Sequence, residues 1–361
     1  MARSMYRGGV YLGISLSLLT AWQLLASFGI QWYTIARLGA GSQTDALYAG
    51  STLLQLCSAV VLDQVSVVLV PLLAAREEHE RAALAWPLFV GIGSLFALVT
   101  LLLYGVAPYL VPLMAPGFSD PTAVLAVELA RIQLLGLLGA ACFTVLSALY
   151  QARNRFLWPS GAVLISTLVG CWILMAGLES VGVRLAAWVQ VLLWCGPALL
   201  LVRALGPWSS AYMNHGAVFR DVWLRVRPLL LSAAFVRTGF VVDRFFTSFL
   251  AAGNLVLLDV TWRVMAAIVR IFNQGLVTPA VPTLATLAKN GRWQEFVRLC
   301  HARLLWMGGG GLTASALLIA AVTLGRSFGD NLSTFGVTVE TLGTIQTIML
   351  AGGGLMLFGG L

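Results

Sequence analysis

The chain has 361 residues, of which 59% are hydrophobic and only 10% are charged, and its net charge is +8. Soluble domains carry about 25% charged residues, so this composition excludes a soluble enzyme and indicates a protein that crosses a membrane several times. The basic residues are scattered singly or in twos between apolar stretches. This scatter excludes a nucleic-acid-binding protein, which gathers its cations on one solvated face.

The remaining composition gives no sign of a cofactor or metal site. The five cysteines have no CxxC spacing and four of them lie in apolar stretches, so we predict unpaired thiols. The chain contains no GxxxxGK[ST] phosphate-binding loop and no HExxH motif. We therefore expect neither an enzyme nor an ATP-driven pump, and no cofactor, no metal and no nucleic-acid partner.

Apolar stretches of the length needed to cross a bilayer, roughly 20 residues, occur ten times. The shorter alternating segments of an outer-membrane barrel are not seen, so the predicted fold is an all-α polytopic membrane protein. The predicted spans are 9–35, 44–73, 84–106, 122–150, 159–178, 185–204, 228–251, 255–286, 304–324 and 337–361.

The basic residues outside these spans predict the orientation, because cytoplasmic loops are enriched in Arg and Lys. The N-terminus and the even-numbered loops hold 14 cations, which are Arg3, Arg7, Arg76, Arg81, Arg153, Arg155, Arg203, Arg220, Arg225, Arg227, Lys289, Arg292, Arg298 and Arg303. The other loops hold three, which are Arg37, Arg184 and Arg326. We therefore predict a cytoplasmic N-terminus.

The other five cations lie inside predicted spans, and four of them belong to the second half of the chain: Arg237, Arg244, Arg263 and Arg270. Charge at bilayer depth is costly and usually faces a cavity or a partner. Asp243 and Asp259 cannot neutralise all four, so we predict a cationic cavity that binds an anionic substrate. The alternative is local ion pairs, above all between Asp259 and Arg263, which share a helix face.

The first half carries fewer buried charges. Asp45 lies at the external end of the second span, where it suits the helix dipole, and Thr44 is a plausible N-cap. Asp63 lies nearer the middle of the span, and Glu128 is spaced to pair with Arg131. Together with Asp243 and Asp259, Asp45 and Asp63 are the candidates for coupling or gating.

Two similar stretches six spans apart indicate an internal repeat. Val-Pro-Leu-Leu-Ala begins at Val70 and Val-Pro-Thr-Leu-Ala begins at Val281, and a glycine, Gly41 or Gly253, precedes each proline by 30 or 29 residues. Because six is an even number, two stretches six spans apart have the same orientation in the membrane. The repeat therefore predicts two parallel lobes of six helices each. We predict a lobe at 1–206, a cytoplasmic linker at 207–227 and an incomplete second lobe at 228–361, because the last span ends without a flanking cation.

Several motifs, taken in order, resemble the MviN/MurJ family of lipid II flippases, part of the multidrug/oligosaccharidyl-lipid/polysaccharide exporter superfamily. They begin with Ala-Arg-Leu-Gly-Ala-Gly-Ser-Gln-Thr-Asp at Ala36. The later ones are Val70-Pro-Leu-Leu, Ala115-Pro-Gly-Phe, Asn154-Arg-Phe-Leu-Trp-Pro, Thr247-Ser-Phe-Leu-Ala-Ala-Gly, Trp262-Arg-Val-Met and Pro282-Thr-Leu-Ala. The resemblance extends over essentially the whole chain.

The resemblance implies a fourteen-helix fold of two six-helix lobes with two further helices. It implies a bacterial inner-membrane flippase that moves an undecaprenyl-diphosphate-linked saccharide outward by alternating access. By position, Asp45 matches the family's aspartate at the start of the second helix and Arg263 its cavity arginine in the eighth. The implied partners are the lipid-linked saccharide, membrane lipids and proteins of cell-wall or polysaccharide synthesis.

The chain departs from the family in its first half. Residues 13–35 carry no charge where the family has arginines, and Thr52 and Ser58 lie where basic residues are usual. In the eighth helix, Ala266 or Ala267 replaces an acidic residue. A different lipid-linked precursor, such as an exopolysaccharide unit, is therefore an alternative substrate, and a scaffold without transport activity is an alternative function. Membrane potential, proton and sodium coupling all stay open.

Overall fold

The computed structural model describes residues 2–206, 216–272 and 291–302, together with Leu305 and Gly309. All elements in these residues are helical, which confirms the all-α class. They are α1 (Ala2–Leu38), α2 (Ser42–Ala74), α3 (Glu78–Met114), α4 (Asp120–Ala152), α5 (Leu157–Val181), α6 (Val183–Leu205), α7 (Gly216–Thr247) and α8 (Asn254–Phe272), and residues 293–302 are also helical.

Eight of the ten predicted spans coincide with these helices, the eighth as far as Phe272. Among the described residues, α2 to α6 are long and apolar enough to cross a membrane. The predicted ninth and tenth spans, 304–324 and 337–361, lie outside the described residues apart from Leu305 and Gly309. The second copy of the proline motif, at Pro282, also lies outside them.

Helix α4 is the central helix of the first six. It packs against α2, α3 and α6, and 72% of its most apolar stretch is buried, compared with 17–44% for the other four spanning helices. Small residues dominate its buried face, namely Ala126, Ala130, Gly136, Gly139, Ala140 and Ala141. Lipid is as apolar as leucine, so helices in a membrane associate through close packing, which small residues permit.

Two glycines mark the closest approaches to α4. A Cβ on Gly50 of α2 would lie 2.9 Å from the backbone nitrogen of Ala130. A Cβ on Gly139 of α4 would lie 2.7 Å from the Cα of Cys195 in α6. Backbone atoms cannot turn aside as a side chain can, so both crossings require a residue without a side chain.

Helix α2 is irregular in its middle. Residues Ser58–Leu62 form a π-helical turn, and Pro71 lies inside the helix that continues to Ala74. A π turn inserts one extra residue per turn and Pro removes a backbone hydrogen bond, so both bend a helix locally. The bend lies where α7 packs against α2.

Helix α7 begins at Gly216, twelve residues before the predicted span, so part of the predicted linker at 207–227 is helical. The ion pair between Asp221 and Arg225, with Oδ1 and Nε 3.0 Å apart, follows the i,i+4 spacing that stabilises a solvated helix. Hydropathy locates only the apolar part of a helix, so the predicted span began at residue 228 and left out the charged first turns of α7. The predicted lobe boundaries themselves stay a prediction.

The chain divides into two compact units. Leu25–Leu255 forms one, which contains the last part of α1 from Leu25 to Leu38 and all of α2 to α7. Its apolar interior comprises two clusters, one around Leu69, Leu88 and Leu146 and the other around Leu47 and Leu129. Met1–Leu24 and Val256–Leu361 form the other unit, whose described part includes most of α8.

We expect Gly139→Ala to lower the free energy of unfolding by about 1–3 kcal/mol, because the added methyl group forces α4 and α6 apart. Gly161→Ala is the matched control. Gly161 lies in α5, where an added Cβ would meet no atom within 4 Å, so alanine there should be neutral or stabilise by up to about 1 kcal/mol. Thermal melting of the detergent-solubilised variants, followed by size-exclusion chromatography, measures both effects. Equal melting temperatures would contradict the close approach.

Candidate functional site

The α1–α2 connection is a tight turn held by Thr44. Its hydroxyl accepts a hydrogen bond from the Gly41 N–H at 3.0 Å and lies within hydrogen-bond distance of the Gly39 and Gly41 carbonyls. Gly39 has a positive φ of 79°, a conformation that glycine adopts without strain. The helix therefore begins after Gly41, and Thr44 stands inside the first turn, so the prediction of Thr44 as the N-cap was wrong.

Asp45 joins this turn to the segment before α8. Its side chain is buried, and its Oδ2 accepts a hydrogen bond from the Gly253 N–H at 2.5 Å. Gly253 has a φ of 96°, and a Cβ there would lie 2.6 Å from the carbonyl oxygen of Ala40. Glycine is thus required twice at this position, once for its backbone conformation and once for the close approach to the α1–α2 turn.

A second contact lies at the same end of the helices, between the α3–α4 and α7–α8 loops. The Gly117 N–H donates to the hydroxyl of Ser248 at 3.1 Å, and a Cβ on Gly117 would lie 2.7 Å from the nitrogen of Phe249. Ser248 is buried. The two glycines occur in motifs that sequence analysis singled out, but the motifs gave no indication that the loops touch.

Arg244 and Arg237, predicted together as cavity cations, have different surroundings. Arg244 is only 3% exposed, and its Nη1 donates to the carbonyl oxygen of Tyr48 in α2 at 2.6 Å. Arg237, two helical turns earlier in α7, is exposed. Arg244 therefore holds α7 against α2 in this arrangement, whereas Arg237 projects from the helix surface.

The predicted acidic candidates in this unit also differ from one another. Asp63 follows the π turn of α2 and is exposed. Asp243 is half-buried beside Arg244, and its backbone carbonyl accepts a hydrogen bond from the hydroxyl of Thr247 at 2.6 Å. Three of the candidate aspartates, Asp45, Asp63 and Asp243, lie in the unit Leu25–Leu255, and of these only Asp45 is buried.

In α8 the predicted ion pair is present. Asp259 Oδ2 accepts from Arg263 Nε at 2.6 Å, and the two side chains are 5% and 41% exposed. The i,i+4 spacing places both on one face of the helix. The buried carboxylate orients the guanidinium, and much of the arginine side chain stays accessible. The side chain of Arg270 lies outside the described part of the structure.

The predicted pairing of Glu128 with Arg131 was wrong. Both carboxylate oxygens of Glu128 accept from Arg184 at the start of α6, at 2.6 and 3.2 Å. Arg131 instead donates its Nε to the carbonyl of Tyr104 at 3.3 Å, and its guanidinium lies 5.0 Å from the Tyr104 ring. That carbonyl lacks its usual helical partner because Pro108, four residues on, has no N–H.

Comparison of the sequence with known families gives a match. The sequence model of the family described as lipid II flippase MurJ matches residues 35–322, more than half of the chain. The chain belongs to the MurJ family. It is therefore a multi-pass membrane transporter and not an enzyme.

Solved structures show the same fold at low sequence identity. A lipid II flippase MurJ in an inward closed conformation superposes with a TM-score of 0.76 at 15% identity, over 96% of this chain and 73% of that one. An outward-facing MATE-family multidrug transporter gives 0.62 at 13% identity, over 97% and 79%. A transporter of the same superfamily from Pyrococcus furiosus gives 0.55 at 16%, over 97% and 79%.

We expect Arg244→Gln to destabilise the protein more than Arg237→Gln, although both remove one positive charge from α7. Loss of the buried donor to the Tyr48 carbonyl costs about 1–3 kcal/mol, whereas exposed Arg237 leaves no buried group unsatisfied. Thermal melting of the purified variants tests this difference. Equal melting temperatures for the two variants would contradict a holding role for Arg244.

Proposed function

We propose that this MurJ-family chain is a flippase that moves an undecaprenyl-diphosphate-linked saccharide from the inner to the outer leaflet by alternating access. Membership of the family supports a lipid-linked precursor as cargo. The cargo implied by the resemblance carries a diphosphate, and an anion of this kind needs cations at bilayer depth to replace its lost hydration. In this proposal the arginines of α7 and α8 supply these cations.

Arg263 is the residue on which substrate binding rests in this proposal. The motif resemblance matches it to the family's cavity arginine, and its 41% exposed side chain is accessible to an anion. The 2.6 Å contact with buried Asp259 fixes the Nε edge of the guanidinium. A guanidinium oriented in this way is prepared to donate in parallel to phosphate oxygens. Arg270, Arg244 and Arg237 are the further cations of the proposal.

The contacts of Asp45 and Ser248 form the closed gate in this proposal. Both lie at the helix ends that the distribution of Arg and Lys assigns to the outside. The Asp45–Gly253 and Gly117–Ser248 hydrogen bonds join loops that have to separate before cargo can leave on that side. Asp45 accepts a backbone N–H beside the positive end of α8, and protonation or displacement of the carboxylate weakens that contact. Asp63, Asp243 and Asp259 remain further candidates for coupling.

A second substrate class follows from the first half of the chain. Thr52 and Ser58 are buried at positions where the resemblance implies basic residues, and Thr52 donates to the Tyr48 carbonyl at 3.4 Å. Fewer cations favour a lipid-linked saccharide with less negative charge than lipid II, for instance an exopolysaccharide unit. A scaffold without transport activity is the remaining alternative.

Arg263→Ala is expected to abolish growth when the gene replaces the flippase of a depleted bacterial strain, with Arg263→Lys partly active. The matched control is Arg298→Ala, which removes one exposed cation from the helical residues 293–302. Immunoblots of the membrane fraction show whether each variant inserts. Growth of the Arg263→Ala strain at the wild-type rate would exclude the proposed role. Failure of the wild-type gene to restore growth in peptidoglycan-flippase and exopolysaccharide-flippase strains would favour the scaffold.

Alternating access predicts that buried Ser248 becomes accessible from outside. In Ser248→Cys, a membrane-impermeant maleimide is expected to label slowly, and the added change Asp45→Ala should raise the rate several-fold because the closing contact is lost. The native chain, which keeps its own five cysteines, gives the background rate. The double variant Asp120→Ala/Ser248→Cys, which removes a helix-start carboxylate from α4, is the control. Labelling that is independent of Asp45 would contradict this gate.

A further inference from the structure

We infer that a groove between α3, α4 and α6 binds a glycerophospholipid with one anionic phosphate in its headgroup. The groove is a cavity of about 730 Å³ that opens at the surface of these helices. Its volume lies within the range of ligand pockets, roughly 300–1,000 Å³. It is enough for a headgroup, the glycerol and the first part of the acyl chains. All three helices belong to the unit Leu25–Leu255.

Most of the groove is apolar and exposed. Val124, Leu135 and Trp188 line it and are 69%, 41% and 50% exposed. Pro108 and Pro112 of α3 also line it and leave the wall of that helix without large side chains at two turns. Side chains of this kind, on helices that span a membrane, suit acyl chains better than they suit a water-soluble ligand.

One cation faces this apolar surface. Arg131 lines the groove, and its only contacts among the described residues are the 3.3 Å hydrogen bond from Nε to the Tyr104 carbonyl and the stacking on the Tyr104 ring. Both terminal nitrogens therefore have no hydrogen-bond acceptor in the part of the chain that the structure describes. Two parallel donors match the oxygens of a phosphate.

Arg131 lies near the end of the groove at which α6 begins. Glu128 bonds Arg184, the second residue of α6, so this ion pair marks the level at which α6 begins. Arg131 lies three residues further along α4, about 4.5 Å along the helix at 1.5 Å per residue. Trp188 lies about one turn into α6, and Trp is enriched at the membrane interface. In this proposal the phosphate binds at this end of the groove and the acyl chains extend along its apolar part.

The charges at the groove favour a monoanion. Two ionised side chains line it, and Glu128 is paired with Arg184, which lies outside the lining, so Arg131 is the cation left to meet an anion. A phosphodiester carries one negative charge and is matched by one guanidinium. The diphosphate of the proposed cargo carries more, and the cations proposed for it lie in α7 and α8. The groove is therefore assigned to a phospholipid of the surrounding leaflet, and this assignment does not depend on the proposed transport activity.

Native mass spectrometry of the full chain in detergent tests the site, with phosphatidylglycerol and phosphatidylcholine of identical acyl chains as probes. We expect the native chain to bind phosphatidylglycerol more tightly. Arg131→Ala and Arg131→Gln should weaken it about tenfold or more, the scale of a lost charge-assisted contact. The control Arg155→Ala removes an exposed loop arginine and should bind like the native chain.

Three results would overturn the inference. The first is equal binding of the two lipids by the native chain, which decides the question even if the Arg131 variants fail to fold. The second is undiminished phosphatidylglycerol binding by folded Arg131→Ala or Arg131→Gln, with folding judged from the size-exclusion profile. The third is that loss of Arg131 weakens the binding of undecaprenyl diphosphate but not of phosphatidylglycerol, which would assign the groove to the cargo lipid.

Discussion

Inside a bilayer, a polar group that cannot reach water has to be satisfied by the protein itself. Thr144, Ser166 and Thr167 meet this constraint locally, since each hydroxyl donates to the carbonyl four residues earlier at 2.7–2.9 Å. Two longer side chains meet it in part, each through one donor group that reaches another helix. Gln133 of α4 donates to the Leu47 carbonyl at 3.2 Å, and Arg244 donates to the Tyr48 carbonyl. Adjacent carbonyls of α2 thereby fix both α4 and α7, and the polar contacts select which helices meet.

A carbonyl left free by proline is satisfied in a similar way between α3 and α4. Pro108 leaves the Tyr104 carbonyl without a helical donor, and the Arg131 Nε supplies one from the neighbouring helix. The guanidinium is held by one edge and by the Tyr104 ring, so its other edge is directed without the entropy cost of a flexible chain. Arg131 therefore satisfies the Tyr104 carbonyl with one edge of its guanidinium and presents the other edge to an anion.

Sequence analysis predicts the helices well and their polar contacts poorly, for a physical reason. Hydropathy is a property of one segment, so it located eight described helices but missed helix ends, such as the charged beginnings of α3 and α7. A local i,i+4 pair, Asp259 with Arg263, was also predictable from spacing alone. The partners of Glu128, Arg244 and Asp45 lie 56, 196 and 208 residues away. Such contacts depend on which helices are neighbours, and neither composition nor spacing encodes that.

The positions of the arginines also separate residues that the sequence treats alike. Arg244 is buried and bonded to α2, so any role in holding cargo requires an arrangement in which α7 has moved away from the Tyr48 carbonyl. Arg263 donates to Asp259 within its own helix and stays 41% exposed, so its side chain is more accessible to an anion than that of Arg244. Under the proposed function, the exposure of Arg263 and the release of Arg244 from α2 are therefore separate requirements, because a ligand can shift the position of α7 only if it binds more tightly once that contact is broken.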